Sequence, residues 1–128
     1  MKKILIAFVA LVLLFPSAYA QKKGAKNYVV GFYNLENLFD TYDDPAKNDE
    51  EFLPEGKNKW TDVKYQKKLT NMAKVIKSMK EANGAWHALL GVSEIENRLV
   101  LEDLVMDPQI AEANYQIVHY DGPDRRGV

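Results

Sequence analysis

Two apolar runs in this chain end in residues that can bind a cation or a phosphate. Tyr28-Val29-Val30-Gly31-Phe32-Tyr33 runs into Asn34, and Ala88-Leu89-Leu90-Gly91-Val92-Ser93 runs into Glu94. One carboxylate and one carboxamide are too few ligands to cage a metal on their own. They suit Mg2+, which keeps much of its water and is typically held by one or two carboxylates together with substrate phosphates. Glu94 is then the direct ligand, and Asn34 orients a phosphate oxygen or a metal-bound water. Spacing alone leaves a plainer alternative open: each residue reads at least as well as the first polar position of a loop after a buried strand.

Bringing those two side chains together requires their strands to be neighbours. Tyr28 to Tyr33 is β-branched and aromatic without clean alternation, which suits a strand buried on both faces. Trp86 to Val92 has the same character. Between them Tyr65, Leu69, Met72, Ile76 and Met79 step by four and three, the apolar stripe of an amphipathic helix. Thr61 is its expected N-cap, Asp62 lies in the first turn, and Asn83-Gly84 ends it. Asn97 is placed to cap a short second helix with Leu101, Leu104 and Val105 facing inward, closed by Asp107-Pro108. Asn114 to Tyr120 alternates as a third strand, and Asp121-Gly122-Pro123-Asp124 is turn chemistry. The order strand–helix–strand–helix–strand implies an α/β layer with a right-handed crossover. With the first two strands parallel and adjacent, Asn34 and Glu94 face one crevice outside the strand ends.

The remaining polar groups read more plainly. Lys64, Lys67, Lys68, Lys74, Lys77 and Lys80 fall mostly off the apolar stripe and suit a solvated helix face better than a nucleic-acid patch. Asp40 to Lys59 is a long loop, of the kind that is either functional or disordered. Its Asp40, Asp43, Asp44 and Asp49 are a candidate Ca2+ site, but they lack the D-x-[DN]-x-[DN]-G pattern and read better as solvated. His87 and His119 read as packing or structural residues of the second and third strands.

The N-terminus reads as an export signal. Lys2 and Lys3 precede an apolar run from Ile4 to Phe15, Pro16-Ser17 breaks it, and Ala18-Tyr19-Ala20 forms a cleavage site. The run is short for a membrane span, which takes about 20 residues. An uncleaved anchor is the alternative. The expected division is 1–20 signal peptide and 21–128 mature chain, secreted or periplasmic, with no stable membrane association after cleavage. The chain has no cysteine, so disulfides do not staple it. Removing Lys2 and Lys3 from 17 basic residues leaves 15 against 18 acidic, a net charge of −3. That balance argues against a surface that grips duplex nucleic acid by neutralising phosphates.

Phe32-Tyr33-Asn34-Leu35-Glu36-Asn37-Leu38-Phe39-Asp40, then Trp60-Thr61, then Gly91-Val92-Ser93-Glu94-Ile95-Glu96-Asn97, then Asp124-Arg125-Arg126-Gly127-Val128 resembles the opening of the endonuclease/exonuclease/phosphatase family, and within it a secreted bacterial branch. Each motif is moderately specific alone; their order and spacing together are more so. The resemblance implies a four-layer α/β/β/α sandwich, of which residues 21–128 are the N-terminal, incomplete portion. It implies hydrolysis of phosphodiester or phosphomonoester bonds with Mg2+, or Mn2+ in its place. By the same match Glu94 is the metal ligand and Asn34 the catalytic asparagine beside metal and phosphate. Asp124 and Arg126 fall in a loop near the phosphate cleft, Arg126 as a phosphate contact. Glu96 stands where relatives often carry a basic residue, and Ser93 where they often carry Gln or Ala. The family's histidine, its aspartate–x–asparagine pair and its final aspartate–histidine pair come later in such chains, and His87 and His119 do not match them.

The expected protein is therefore a secreted, metal-dependent phosphoesterase of nuclease or phosphatase type, with residues 21–128 inactive and unstable by themselves. The expected partner is a phosphate-ester substrate, nucleic acid among the candidates, with no obligate protein partner. The rival readings are a non-catalytic secreted module binding a ligand or Ca2+ through the acidic loop, and an interaction fragment without chemistry.

Overall fold

The computed structural model describes residues 26–128. The expected signal peptide and cleavage site, residues 1–20, lie outside the described residues. The elements run β1 (Val29–Leu38), α1 (Asp62–Asn83), β2 (His87–Ile95) and α2 (Arg98–Val105), with 3-10 turns at Glu50–Phe52 and Ala111–Ala113. Helix and strand alternate, so the chain is α/β. No helix among the described residues is long and apolar enough to cross a membrane.

β1 and β2 pair in parallel, with Val30 opposite Leu89, Phe32 opposite Gly91 and Asn34 opposite Ser93. Alternation then sorts the side chains. Tyr33, Leu35, Leu90 and Val92 turn towards the helices and join a core built from Tyr65, Leu69, Met72, Ala73 and Ile76 of α1 and Val100, Leu101 and Leu104 of α2. Val30, Phe32 and Leu89 turn the other way and are 66%, 69% and 66% exposed. The expectation that these strands are buried on both faces therefore fails here: helices cover one face, and no described element covers the other. The ring of Phe32 lies across Gly91, where an added Cβ would stand 3.1 Å from Phe32 Cδ2.

The helices follow the sequence pattern with one correction. Thr61 sits at the N-cap of α1 in an extended conformation, yet its hydroxyl makes no cap. The first turn is satisfied by its carbonyl instead, which accepts from the N–H groups of Lys64 and Tyr65. Gly84 closes the helix at φ 73°, a left-handed conformation that costs a residue without Cβ nothing. Asn97 does cap α2: its side-chain oxygen accepts from the Val100 N–H at 3.1 Å.

Two other expectations change. Asn114 to Tyr120 is not a strand, although its side chains alternate between half-buried and exposed as a strand's would. Its backbone has no ladder partner, because the only sheet among the described residues holds β1 and β2. The loop after β1 is not structureless either. Phe39 stacks on Phe52 with ring centroids 4.1 Å apart, and Phe52 meets Trp60 edge-on at 6.3 Å. Trp60 Nε1 donates to the Phe39 carbonyl at 3.0 Å, tying the loop's two ends together.

Candidate functional site

The site begins where the parallel ladder becomes irregular. After Asn34 pairs with Ser93, the next paired residues are Leu38 and Ile95. Leu35, Glu36 and Asn37 thus oppose Glu94 alone, a bulge that re-aims the side chains at the strand ends. Glu36, Asn37 and Glu94 all take left-handed conformations, at φ 51°, 58° and 56°. That conformation costs a residue with a Cβ roughly 1–2 kcal/mol, so surrounding contacts must hold it.

Those contacts fix Asn34. Its Nδ2 donates to Glu94 Oε1 at 2.9 Å, and its Oδ1 accepts from the Glu36 N–H at 2.7 Å. The two bonds set which way round the carboxamide lies. The two residues singled out at the strand ends are therefore in direct contact, across 60 positions of sequence. Asn34 is exposed and Glu94 half-buried, so the pair is open to solvent on one side.

Lys68 of α1 completes this corner. Its Nζ donates to the carbonyls of both Glu36 and Asn37 and lies 5.5 Å from the ring centre of Trp60. Burial pushes its pKa down, and the charges of Glu36 and Glu94 push back. The sequence reading assigned Lys68 to the solvated face. The missed signal is its spacing, three residues from Tyr65 and four from Met72, which places it on the buried stripe.

Glu96 serves the fold beside the site. It is 8% exposed; its Oε2 accepts from the Asp40 N–H at 2.8 Å, and its own N–H donates to the Leu38 carbonyl at 3.1 Å. Burial pushes its carboxyl up to about 7, against the Asp40 N–H, with the charges of Asp40, Asp49 and Asp44 adding to the rise. Asp40 is buried as well, accepting from the Tyr42 N–H and from Asn97 Nδ2. Asp49 is 1% exposed, takes the Asp44 N–H on Oδ2, and leaves Oδ1 buried without a partner. Asp40 and Asp49 are thus structural acids of the loop, correcting the solvated reading for these two. Among the described residues no three His, Cys, Asp or Glu side chains gather so as to hold a metal.

Asp124 and Arg126 pair with each other. Arg126 Nη2 donates to Asp124 Oδ2 at 2.6 Å, its Nε to both carboxylate oxygens, and its backbone N–H to Oδ1. Those hydrogen bonds hold the Asp124 carboxyl down to about 2. Asp124 raises Arg126 in turn, and Glu94 adds to that rise, which places the guanidinium within electrostatic reach of Glu94. The loop is anchored from below by Lys47 Nζ on the Asp124 carbonyl and by the Asn48 N–H on the Arg125 carbonyl. As it stands, Arg126 is turned to Asp124, and a phosphate would have to share it.

A cavity of about 830 Å3 opens between β2 and the extended segment that follows the second 3-10 turn. Glu94, Glu96, Asp124 and Lys47 line it with apolar residues such as Leu90 and Ile117; Asn34 does not. Both histidines line this cavity with Glu94, but neither hydrogen-bonds to the Asn34–Glu94 pair. His87 is buried with Nδ1 3.2 Å from the Tyr115 hydroxyl, and His119 stands beside Asp121.

One carboxylate oriented by a carboxamide and open to solvent fits a cation that retains water and takes its remaining ligands from a phosphate. In comparison with known proteins, the model of a family described as the endonuclease/exonuclease/phosphatase family matches residues 29–128. No curated protein and no solved structure matches the chain.

Proposed function

The chain belongs to the endonuclease/exonuclease/phosphatase family, whose activity is phosphoester hydrolysis of nuclease and phosphatase kinds, and on that footing we propose a Mg2+-dependent phosphoesterase with Glu94 as metal ligand. Mn2+ is the expected substitute. The single observation that carries this reading is the 2.9 Å contact between Asn34 Nδ2 and Glu94 Oε1 where the ladder of two parallel strands becomes irregular.

Each residue has a stated part. Glu94 supplies the anionic oxygen for the cation. Asn34 uses one Nδ2 proton on Glu94, which leaves the second for a phosphate oxygen. Mg2+ when bound supplies Lewis-acid stabilisation of the charge that develops on the phosphoryl oxygens. Arg126 adds positive charge at the rim once a phosphate competes with Asp124 for its guanidinium. His87 and His119 line the cavity with Glu94 but hydrogen-bond to neither Asn34 nor Glu94; the described residues are expected to be inactive by themselves, with proton transfer assigned to groups other than these two. The substrate class is a phosphodiester or phosphomonoester, nucleic acid included. The protein is exported after cleavage between Ala20 and Gln21, and acts in the periplasm or outside the cell without an obligate protein partner. The bare face of Val30, Phe32 and Leu89 supports a second sheet layer of a four-layer sandwich.

The test is hydrolysis of bis(4-nitrophenyl) phosphate and of DNA by the full-length protein across a Mg2+ titration. Glu94→Gln removes the ligand charge and is expected to lower activity at least about 100-fold at low Mg2+, as loss of an electrostatic contact to the transition state does. Glu96→Gln is expected to retain most activity. Equal activity of wild type and Glu94→Gln at low Mg2+ rejects the assignment.

A further inference from the structure

We infer that Lys68, seated against Trp60, is a positioning residue that holds Asn34 in register with Glu94. The inference rests on the metal-corner reading above and adds a residue to it. The path is continuous. Lys68 Nζ bonds the carbonyls of Glu36 and Asn37, Glu36 N–H bonds Asn34 Oδ1, and Asn34 Nδ2 bonds Glu94 Oε1.

Each link is needed because the turn it holds is strained. Glu36 and Asn37 are consecutive left-handed residues, neither of them glycine. Two such residues in sequence aim their carbonyls in a direction the chain does not favour unaided. One ammonium group with three donors can satisfy both carbonyls at once. The Glu36 N–H then has a fixed direction, and that direction fixes Asn34 Oδ1. Lys68 in turn is held from α1 and by the face of Trp60, whose Nε1 is bound to the Phe39 carbonyl. The ammonium makes no ion pair with Glu36 or Glu94 within salt-bridge distance among the described residues; its contacts are to backbone. Its work is therefore geometric, with a favourable field at Glu94 in addition.

The test separates this inference from the reading it rests on. The 15N-labelled protein without metal is compared as wild type, Lys68→Met and Lys68→Arg, with Lys67→Met as an exposed control. Amide hydrogen exchange is read at the Glu36 N–H and at the Asn34 side-chain amide. Lys68→Met keeps the aliphatic stem over Trp60 and loses the donors. Exchange at both positions is expected to rise about tenfold or more, with the β1–β2 ladder around Phe32 unchanged and partial return in Lys68→Arg. In the active enzyme the same variant is expected to raise the Mg2+ concentration for half-maximal rate. Unchanged exchange at Glu36 and Asn34 in folded Lys68→Met overturns the inference, whatever happens to activity. Should Lys68→Met fail to fold, Lys68→Arg and Trp60→Phe decide by the same readout. Raised exchange together with a Mg2+ dependence unchanged by Glu94→Gln upholds the positioning role and removes Glu94 as the metal ligand.

Discussion

Glu94 and Glu96 are two residues apart and have opposite chemistry, because the chain turns between them. Glu94 sits at φ 56° with its carboxylate against Asn34. Glu96 is buried, closing the ladder through its N–H and holding Asp40 through its side chain. Its raised pKa has a sign that can be tested. The ordinary carboxyl value is 4.5 and the folded value about 7. Between those values the folded protein keeps a proton that the unfolded chain has released. Stability contributed by the protonated form is full below about 4.5 and is lost as pH rises towards about 7, with a slope of at most about 1.4 kcal/mol per pH unit. Thermal unfolding between pH 4.5 and 8 is therefore expected to show a falling Tm that Glu96→Gln flattens, since the carboxamide oxygen still accepts from the Asp40 N–H. An identical slope in Glu96→Gln would assign the pH dependence to other groups. This role was not legible in the sequence, for burial of a charged residue depends on the loop that folds over it.

At the scale of elements, what the sequence made legible is what local periodicity controls. The α1 stripe, the glycine that ends it and the Asn97 cap follow from spacing and backbone preference within one helix. Asn34 and Glu94 were expected at strand ends; β1 runs on to Leu38 and β2 to Ile95, and the two residues meet where the parallel ladder becomes irregular. The third strand was not legible as absent, because alternation at Asn114 to Tyr120 describes side chains while a strand is defined by its hydrogen-bonding neighbour. Lys68 was hidden by its charge, although its position lies on the buried stripe. The packing of β1 against β2 makes its own prediction at Gly31. An added Cβ there would lie 2.8 Å from His87 Cδ2, and that ring is fixed by the Tyr115 hydroxyl. Gly31→Ala is expected to destabilise the fold by about 1–3 kcal/mol, the cost of overpacking a filled site. Chemical denaturation measures it, and a change under about 0.5 kcal/mol, typical of surface substitutions, would show that His87 moves aside freely.

For the whole molecule the telling feature is asymmetry of the two-stranded sheet. One face is sealed by α1 and α2, with Leu35 and Leu38 fully buried. The other exposes Val30, Phe32 and Leu89 side by side. Contiguous apolar surface of this kind usually marks an interface, and the proposed four-layer sandwich supplies one in the form of a second sheet. The two states predict different outcomes for one substitution. If Phe32 remains solvent-facing, Phe32→Ser changes stability by no more than about 0.5 kcal/mol, as exposed substitutions do. If a second sheet packs on it, truncating the ring leaves a cavity and costs about 3–5 kcal/mol, a large share of a domain's stability of about 5–15 kcal/mol. The expected result is the larger loss. Asn34, two residues on, shares this exposed face with Phe32, so activity per folded molecule is read alongside stability. Urea unfolding of the full-length protein, with the slope of the transition checked between variants, distinguishes the cases. A loss within experimental scatter of zero would mean that this face stays bare and that the sandwich reading is wrong.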